Sequence, residues 1–242
     1  MDKKEFISEC YKAFELNGIA CGEAEVEKLY LLTERMLEVN KSMNLTAIKD
    51  EKTIILRHYV DSVTISEYIP EGARIMDVGC GAGFPTLPLA IFRPDVKITA
   101  LDGTAKRINY VAETARLLGL GNVTAIAARA EELAHRSEYR ESYDIVTARA
   151  VASLPVLCEL CLPFASVGGK MIAMKSAQAD DELSLSLNCI DVCGGSNVRK
   201  RSCDIVSDVG EKESRNLIFI EKIQKTPKIY PRHFSKISKK PL

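Results

Sequence analysis

The 242-residue chain has no apolar run that approaches the roughly 20 residues of a membrane-spanning helix, so no membrane partner is expected. Its opening, Met1-Asp-Lys-Lys-Glu-Phe, carries no apolar signal core, and a cytoplasmic location is expected. Formal net charge is zero, so a polyanionic partner would have to be met by a local patch and not by the whole surface. Internal repeats and low-complexity tracts are lacking too. Histidine occurs three times, and no Ser-His-Asp or Cys-His set stands out. What remains is an ordinary globular composition, 46% hydrophobic and 27% charged. It fits one large α/β domain with a small appendage.

Cysteine is not scarce. Without a secretion signal its eight copies argue against disulfides. Cys158-x-x-Cys161 and Cys189-x-x-x-Cys193 come near a four-ligand zinc spacing. The first pair, however, lies in the apolar stretch Pro155–Pro163, where free cysteine serves as a small hydrophobe. No metal is expected.

The most informative segment is Arg74-Ile-Met-Asp77-Val-Gly79-Cys-Gly81-Ala-Gly83-Phe84-Pro85. An apolar strand ends in an acid, three alternate glycines follow, and an apolar helix begins. Glycine tolerates positive φ and lets backbone approach a ligand closely. The helix N-terminus favours negative charge at the same place. This is where a doubly wound sheet takes a nucleotide-like cofactor. The dinucleotide spacing G-x-G-x-x-G fails, because its third glycine would fall on Phe84 or Thr86. The D-x-G-x-G-x-G pattern resembles motif I of Rossmann-like S-adenosylmethionine (SAM) methyltransferases.

A second strand, Val96–Asp102, ends in an acid that can accept from ribose hydroxyls or cap the next helix. A third, Val123–Ala127, has Ala130 and Glu131 at its mouth, where this cofactor class usually places adenine. A fourth, Tyr143–Ala148, is followed by Arg149, placed to meet substrate or cofactor. Further elements are read as helices at 3–16, 23–40, 53–68, 84–92, 105–118, 153–163 and 180–188. Strands are read at 170–174, about 191–206 and 216–222. The alternation predicts a mainly parallel seven-stranded sheet with helices on both faces and an antiparallel final pair. The divisions are an N-terminal helical extension (1–60), the cofactor domain (61–223) and a C-terminal tail (224–242).

From Ile223 onward there is no acid and there are six bases: Lys225, Lys228, Arg232, Lys236, Lys239 and Lys240. Tyr230, Pro231 and Phe234 are interleaved with them. The pattern suits RNA phosphates and bases, or else a solvated terminus. His58 is read first as a hydrogen-bonded structural residue. Alternatively, Arg57-His58-Tyr59-Val60-Asp61-Ser62 lines the entrance to the glycine loop. His135 is assigned to the surface, and His233 to a phosphate contact.

Several elements occur in order: Asn44-Leu-Thr-Ala-Ile48, Arg57-His58 with Asp61-Ser62, Asp77–Pro85, Arg129-Ala-Glu131, Thr147-Ala-Arg-Ala150, Met174-Lys175 and Tyr230-Pro-Arg232. From about residue 40 onward the chain closely resembles the RsmG (GidB) family, the bacterial small-subunit rRNA guanine-N7 methyltransferases. The resemblance implies SAM as methyl donor and N7 of guanine 527 of 16S rRNA (usual rRNA numbering) as acceptor. It implies cofactor contacts at Gly79, Phe84, Ala130, Glu131 and Arg149. The strand-end reading adds Asp77, Gly81, Gly83 and Asp102. No general base is expected, with Arg149 as a positioner. A monomer on 16S rRNA or the small subunit is expected. Residues 102–107 read Asp-Gly-Thr-Ala-Lys-Arg where the family usually has Asp-Ser, and the tail lacks the family's Gly-Thr-Pro turn. The alternatives are a SAM methyltransferase for another RNA, a small molecule or a protein, and a non-catalytic SAM- and RNA-binding module.

Overall fold

The computed structural model describes residues 1–176 and 179–242. Seven strands form one sheet: β1 (Arg74–Val78), β2 (Lys97–Asp102), β3 (Val123–Ala127), β4 (Tyr143–Arg149), β5 (Ala165–Lys175), β6 (Gly195–Val206) and β7 (Lys212–Lys222). Their order is β3-β2-β1-β4-β5-β7-β6. The first five run parallel, and β7 is antiparallel to both of its neighbours. The expected parallel sheet with a terminal antiparallel pair is therefore present.

Strand alternation divides the core into two layers. Ile75, Ile98, Ile145 and Ile172 face one apolar cluster, while Met76, Val146, Met171 and Ile218 face the other. The first cluster is covered by helices α1 (Lys3–Leu16), α2 (Glu23–Met43), α5 (Thr86–Phe92) and α6 (Ala105–Leu117), with the short α3 (Glu51–Ile54) and α4 (Asp61–Val63) between α2 and α5. The second is covered chiefly by α8 (Leu154–Cys161) and α9 (Ala179–Val192), with α7 (Ala130–Leu133) beside them. Among the described residues no helix is long and apolar enough to cross a membrane.

The N-terminal helices begin where local chemistry favours them. Asp2 accepts from the Glu5 amide at 2.9 Å, and Glu25 reaches back to the Gly22 amide at 3.1 Å. Their apolar stripes then enter the sheet's own core. Phe6, Phe14, Leu29 and Leu32 are fully buried in the layer that holds Ile75, and Phe14 stacks on Phe92 at 4.9 Å. The Asn17 side-chain amide bonds both backbone groups of Val206, at 2.9 and 2.8 Å, and ties the α1–α2 turn to the tip of the β6–β7 hairpin.

Several bounds differ from the sequence reading: α2 runs on to Met43 and β7 starts at Lys212, and three further elements differ for reasons of packing or pairing. The helix expected over 53–68 widens to a π-helical turn at Ile55–Val60 before α4. The wider turn keeps Ile54, Ile55 and Tyr59 buried while His58 lies flat on Phe84. The strand expected from about 191 starts at Gly195, because α9 runs to Val192 with Cys189 and Cys193 both buried. Strand β5 is longer than expected because it begins at Ala165, paired with Tyr143.

The tail is a packed strap that ends in α10 (Phe234–Lys239), whose Ile237 is fully buried. Arg140 holds the carbonyls of Thr226 and Tyr230 at 2.8 and 3.0 Å. The buried Lys222 amine donates to Cys193 O at 2.6 Å. Arg232 grips the fully buried Glu159 through its amide and two guanidinium nitrogens, at 2.8, 2.9 and 2.7 Å. Of the six tail bases Arg232 is thus turned inward, and the five lysines are exposed. His233 caps α10 by accepting from the Ser235 amide, and the exposed His135 ring meets Pro231 O at 2.9 Å.

Candidate functional site

The carboxyl ends of β1, β2 and β4 converge on the glycine loop. In an open parallel sheet this is where a ligand is received. Gly79, Gly81 and Gly83 all have positive φ, at 76°, 55° and 87°. They are spatially distinct. A Cβ on Gly79 would come within 2.5 Å of Val151, and one on Gly83 within 2.6 Å of Leu87, whereas one on Gly81 would meet nothing nearer than 4.0 Å. Gly81 therefore borders open space, and Gly83 is a packing glycine for α5.

The loop's amides point inward. Gly79 and Cys80 donate to Leu101 O, Gly83 and Phe84 donate to Cys80 O, and Gly81 donates to Asp102 at 3.1 Å. The expectation that these N–H groups would face a ligand is corrected for these five. Such a loop offers no ring of amides for a pyrophosphate, in keeping with the failed dinucleotide spacing.

One cleft of about 340 Å³ opens beside this loop, lined by Leu45, Thr46, His58, Gly79, Gly81, Phe84, Asp102, Arg107, Arg149 and Val151 among others. It brings together five of the residues singled out from sequence: Gly79, Gly81, Phe84, Asp102 and Arg149. Asp102 also accepts from the Thr104 amide at 2.8 Å, which fixes its carboxylate at the cleft edge. Asp77 lies behind the loop, fully buried, with Oδ2 accepting from Thr86 at 2.6 Å and Oδ1 without a partner. Burial pushes its carboxyl up to about 6, against the pull of the Thr86 bond and Arg149. Glu131 is buried beside Arg129, and neither Ala130 nor Glu131 lines this cleft.

A second cleft, of about 390 Å³, shares His58, Arg149 and Ala150 with the first and adds Arg57, Asp61, Met174, Lys175, Ser176 and Arg215. Arg149 stands at the junction. Its guanidinium donates to Asp61 at 2.7 Å and to Arg57 O at 3.0 Å, and lies 5.4 Å from the Phe84 ring centre. Arg215 holds the other Asp61 oxygen at 3.0 Å and pairs with Glu213, which also holds Arg57. Lys175 is fixed by Glu182 at 2.7 Å and Ala152 O at 3.0 Å. The wall is cationic but oriented by carboxylates.

Sequence reasoning left His58 between two roles and did not foresee its position. It stacks on Phe84 with ring centres 4.5 Å apart and planes at 12°, and its Nε2 lies 2.9 Å from Thr46 Oγ1. Burial, and then the nearby Arg149, push its pKa down to about 4. The ring is neutral at neutral pH. The unfolded state binds a proton here below about 6.5 while the folded state does not until about 4, so stability falls as pH drops through that window. Urea titrations at pH 7 and pH 5 are expected to show a smaller acid loss in His58→Gln than in the unsubstituted chain. An equal loss in both would remove His58 as its source.

The cysteines give no comparable site. Cys158, Cys161, Cys189 and Cys193 are buried, and desolvation raises the Cys158 and Cys161 thiols away from the thiolate a metal needs. Among the described residues no group of three potential ligands is arranged for a metal ion.

Comparison with known proteins adds to the geometry. A family model described as rRNA small subunit methyltransferase G matches residues 25–209. Proteins named ribosomal RNA small subunit methyltransferase G are similar along most of their length. The one from Lactobacillus acidophilus is 39% identical, covering 100% of both chains. That from Clostridium perfringens is 39% identical over 96% of both. Among solved structures, a precorrin-6y C5,15-methyltransferase from Geobacter metallireducens superposes with a TM-score of 0.52 at 15% identity, covering 76% of this chain and 92% of that one. A SAM-dependent methyltransferase from Aquifex aeolicus gives 0.51 at 19%, covering 71% and 93%. At those identities the likeness is one of fold.

Proposed function

We infer the activity from one premise: the chain belongs to the GidB family of rRNA small subunit methyltransferases G. The protein is a SAM-dependent methyltransferase of 16S rRNA, and the acceptor we propose is N7 of guanine 527. The observation that carries this reading is the pair of clefts meeting at Arg149 and His58. The first suits the donor and the second the target base.

The residues of the first cleft fit the donor. Gly81 leaves space where any side chain would intrude, Asp102 presents a fixed carboxylate for ribose hydroxyls, and behind the loop the buried Asp77 has one oxygen without a partner. Phe84 adds an apolar ring. SAM supplies a methyl group already activated on a sulfonium.

Guanine N7 carries an in-plane lone pair and no proton at neutral pH, so no residue has to remove one. The chain's task is alignment, which can contribute several kcal/mol. Arg149, held from three sides, fixes the junction through which the methyl group must pass. His58 stays neutral there and adds no charge beside a base that becomes positive on methylation. Arg57, Arg215 and Lys175 stand at the second cleft for RNA phosphates, and the five tail lysines extend the positive surface. The target must be unstacked to enter, which suits a loop or a loosely structured site. We propose that a monomer suffices.

The test is incubation with labelled SAM and small subunits lacking the modification, followed by mapping of N7-methylguanine by reduction and strand cleavage. Label at guanine 527 alone is expected. SAM binding without any incorporation would leave a non-catalytic binding module. Gly81→Val strains the φ of 55° and places a side chain at the cleft. It is expected to abolish SAM binding while the chain stays folded, and normal affinity in that variant would mean that the loop is not the donor site.

A further inference from the structure

Arg129 and Phe234 form a contact outside the machinery described so far. Arg129 follows β3, and its guanidinium carbon lies 5.0 Å from the Phe234 ring centre, in cation–π range. The same side chain crosses Gly103, the residue after Asp102. A Cβ there would stand 3.1 Å from Arg129 Cδ and 3.2 Å from its Nη1. Its Nε reaches the buried Glu131 carboxylate at 3.4 Å. Arg129 is half-exposed, so this weak pair alone would not hold so long a side chain in one rotamer. The ring beneath it supplies the missing restraint.

Phe234 is in turn well fixed. It begins α10, directly after the Arg232–Glu159 clamp, and the buried Ile237 holds the next turn. The strap thus reaches from the end of the sheet back, through Arg129, to Gly103, the neighbour of Asp102 at the edge of the donor cleft. Asp102 marks the ribose position proposed above. A base carried by that ribose would extend past Gly103, the backbone that Arg129 covers.

We propose that Phe234 is a positioning residue for the cofactor: it props Arg129 into a wall over the nucleobase end of the donor cleft. The inference rests on the donor assignment in the preceding subsection. It gives the C-terminal strap a role in donor affinity that is separate from any contact of its lysines with RNA.

Calorimetric titration of the full-length chain with S-adenosylhomocysteine, and separately with 5′-methylthioadenosine, tests this. Phe234→Ala is expected to raise Kd about fivefold for both ligands, the size of a partly exposed cation–π contact. Phe234→Tyr keeps the ring and should bind normally. Arg129→Gln should match Phe234→Ala, and the double variant should lose no more than either single one. With saturating RNA, KM for SAM should rise while kcat holds, a split that a general loosening of the fold would not give. Unchanged Kd for both ligands in Phe234→Ala, with the unsubstituted chain binding normally, overturns the proposal. So does a loss confined to S-adenosylhomocysteine, which would put the effect at the amino-acid end. Failure of the unsubstituted chain to bind either ligand would instead overturn the donor assignment itself.

Discussion

Replacing Arg232 with alanine is expected to lower the unfolding free energy by about 3–5 kcal/mol, because a buried carboxylate loses its counter-charge. Glu159 is fully buried in α8 and receives the Nε–Nη2 edge of the Arg232 guanidinium. Nothing else charged is paired with it among the described residues. Denaturant titration measures the loss directly. Removing both partners, as in Glu159→Leu with Arg232→Leu, should recover most of it, since an apolar pair leaves no stranded charge. If Arg232→Ala keeps full stability and loses only RNA affinity, the residue is an RNA contact and the anchoring role is wrong.

Arg149→Ala is expected to cut methyl transfer by at least about 100-fold, the scale on which small misplacements of reacting groups are felt. The fold should survive, because Asp61 keeps Arg215 as its partner at 3.0 Å. Arg149→Lys should also fail. One ammonium cannot at once satisfy Asp61, reach the Arg57 carbonyl and lie over the Phe84 ring. Single-turnover rates at saturating SAM and RNA give the readout. A variant with more than half the rate would remove Arg149 from the alignment of donor and acceptor.

Much of the fold and of the candidate site is legible in the sequence, and the reasons are local. Residues 74–85 spell strand, acid, glycine loop and helix in continuous sequence, so β1, the loop and α5 follow from neighbouring residues. Asp102 and Arg149 follow from being the last polar residues of apolar strands. The placement of His58 against Phe84 could not be read, because a stack across 26 residues depends on how the π-turn packs on the loop. The inward turn of Arg232 was hidden for the same reason. Its partner lies 73 residues earlier, in the apolar stretch Pro155–Pro163, and nothing in the local sequence says which base meets Glu159. The loop amides show the converse: glycines signalled close backbone approach, but the partners are Leu101 and Asp102 of the neighbouring strand and Cys80 of the loop itself.

The two hydrogen bonds between Asn17 and Val206 also bear on how the chain reaches its native state. They join residues 189 positions apart, and the apolar stripes of α1 and α2 close on a layer built from strands made later. During synthesis the Asn17 latch must therefore wait until the last hairpin has emerged, long after Phe14 can meet Phe92. Contacts of such separation form after the more local ones, because loop-closure entropy rises with the length of chain between them. Substitution of Asn17 by alanine should then act mainly on the unfolding rate, since a latch that closes last is absent from the transition state.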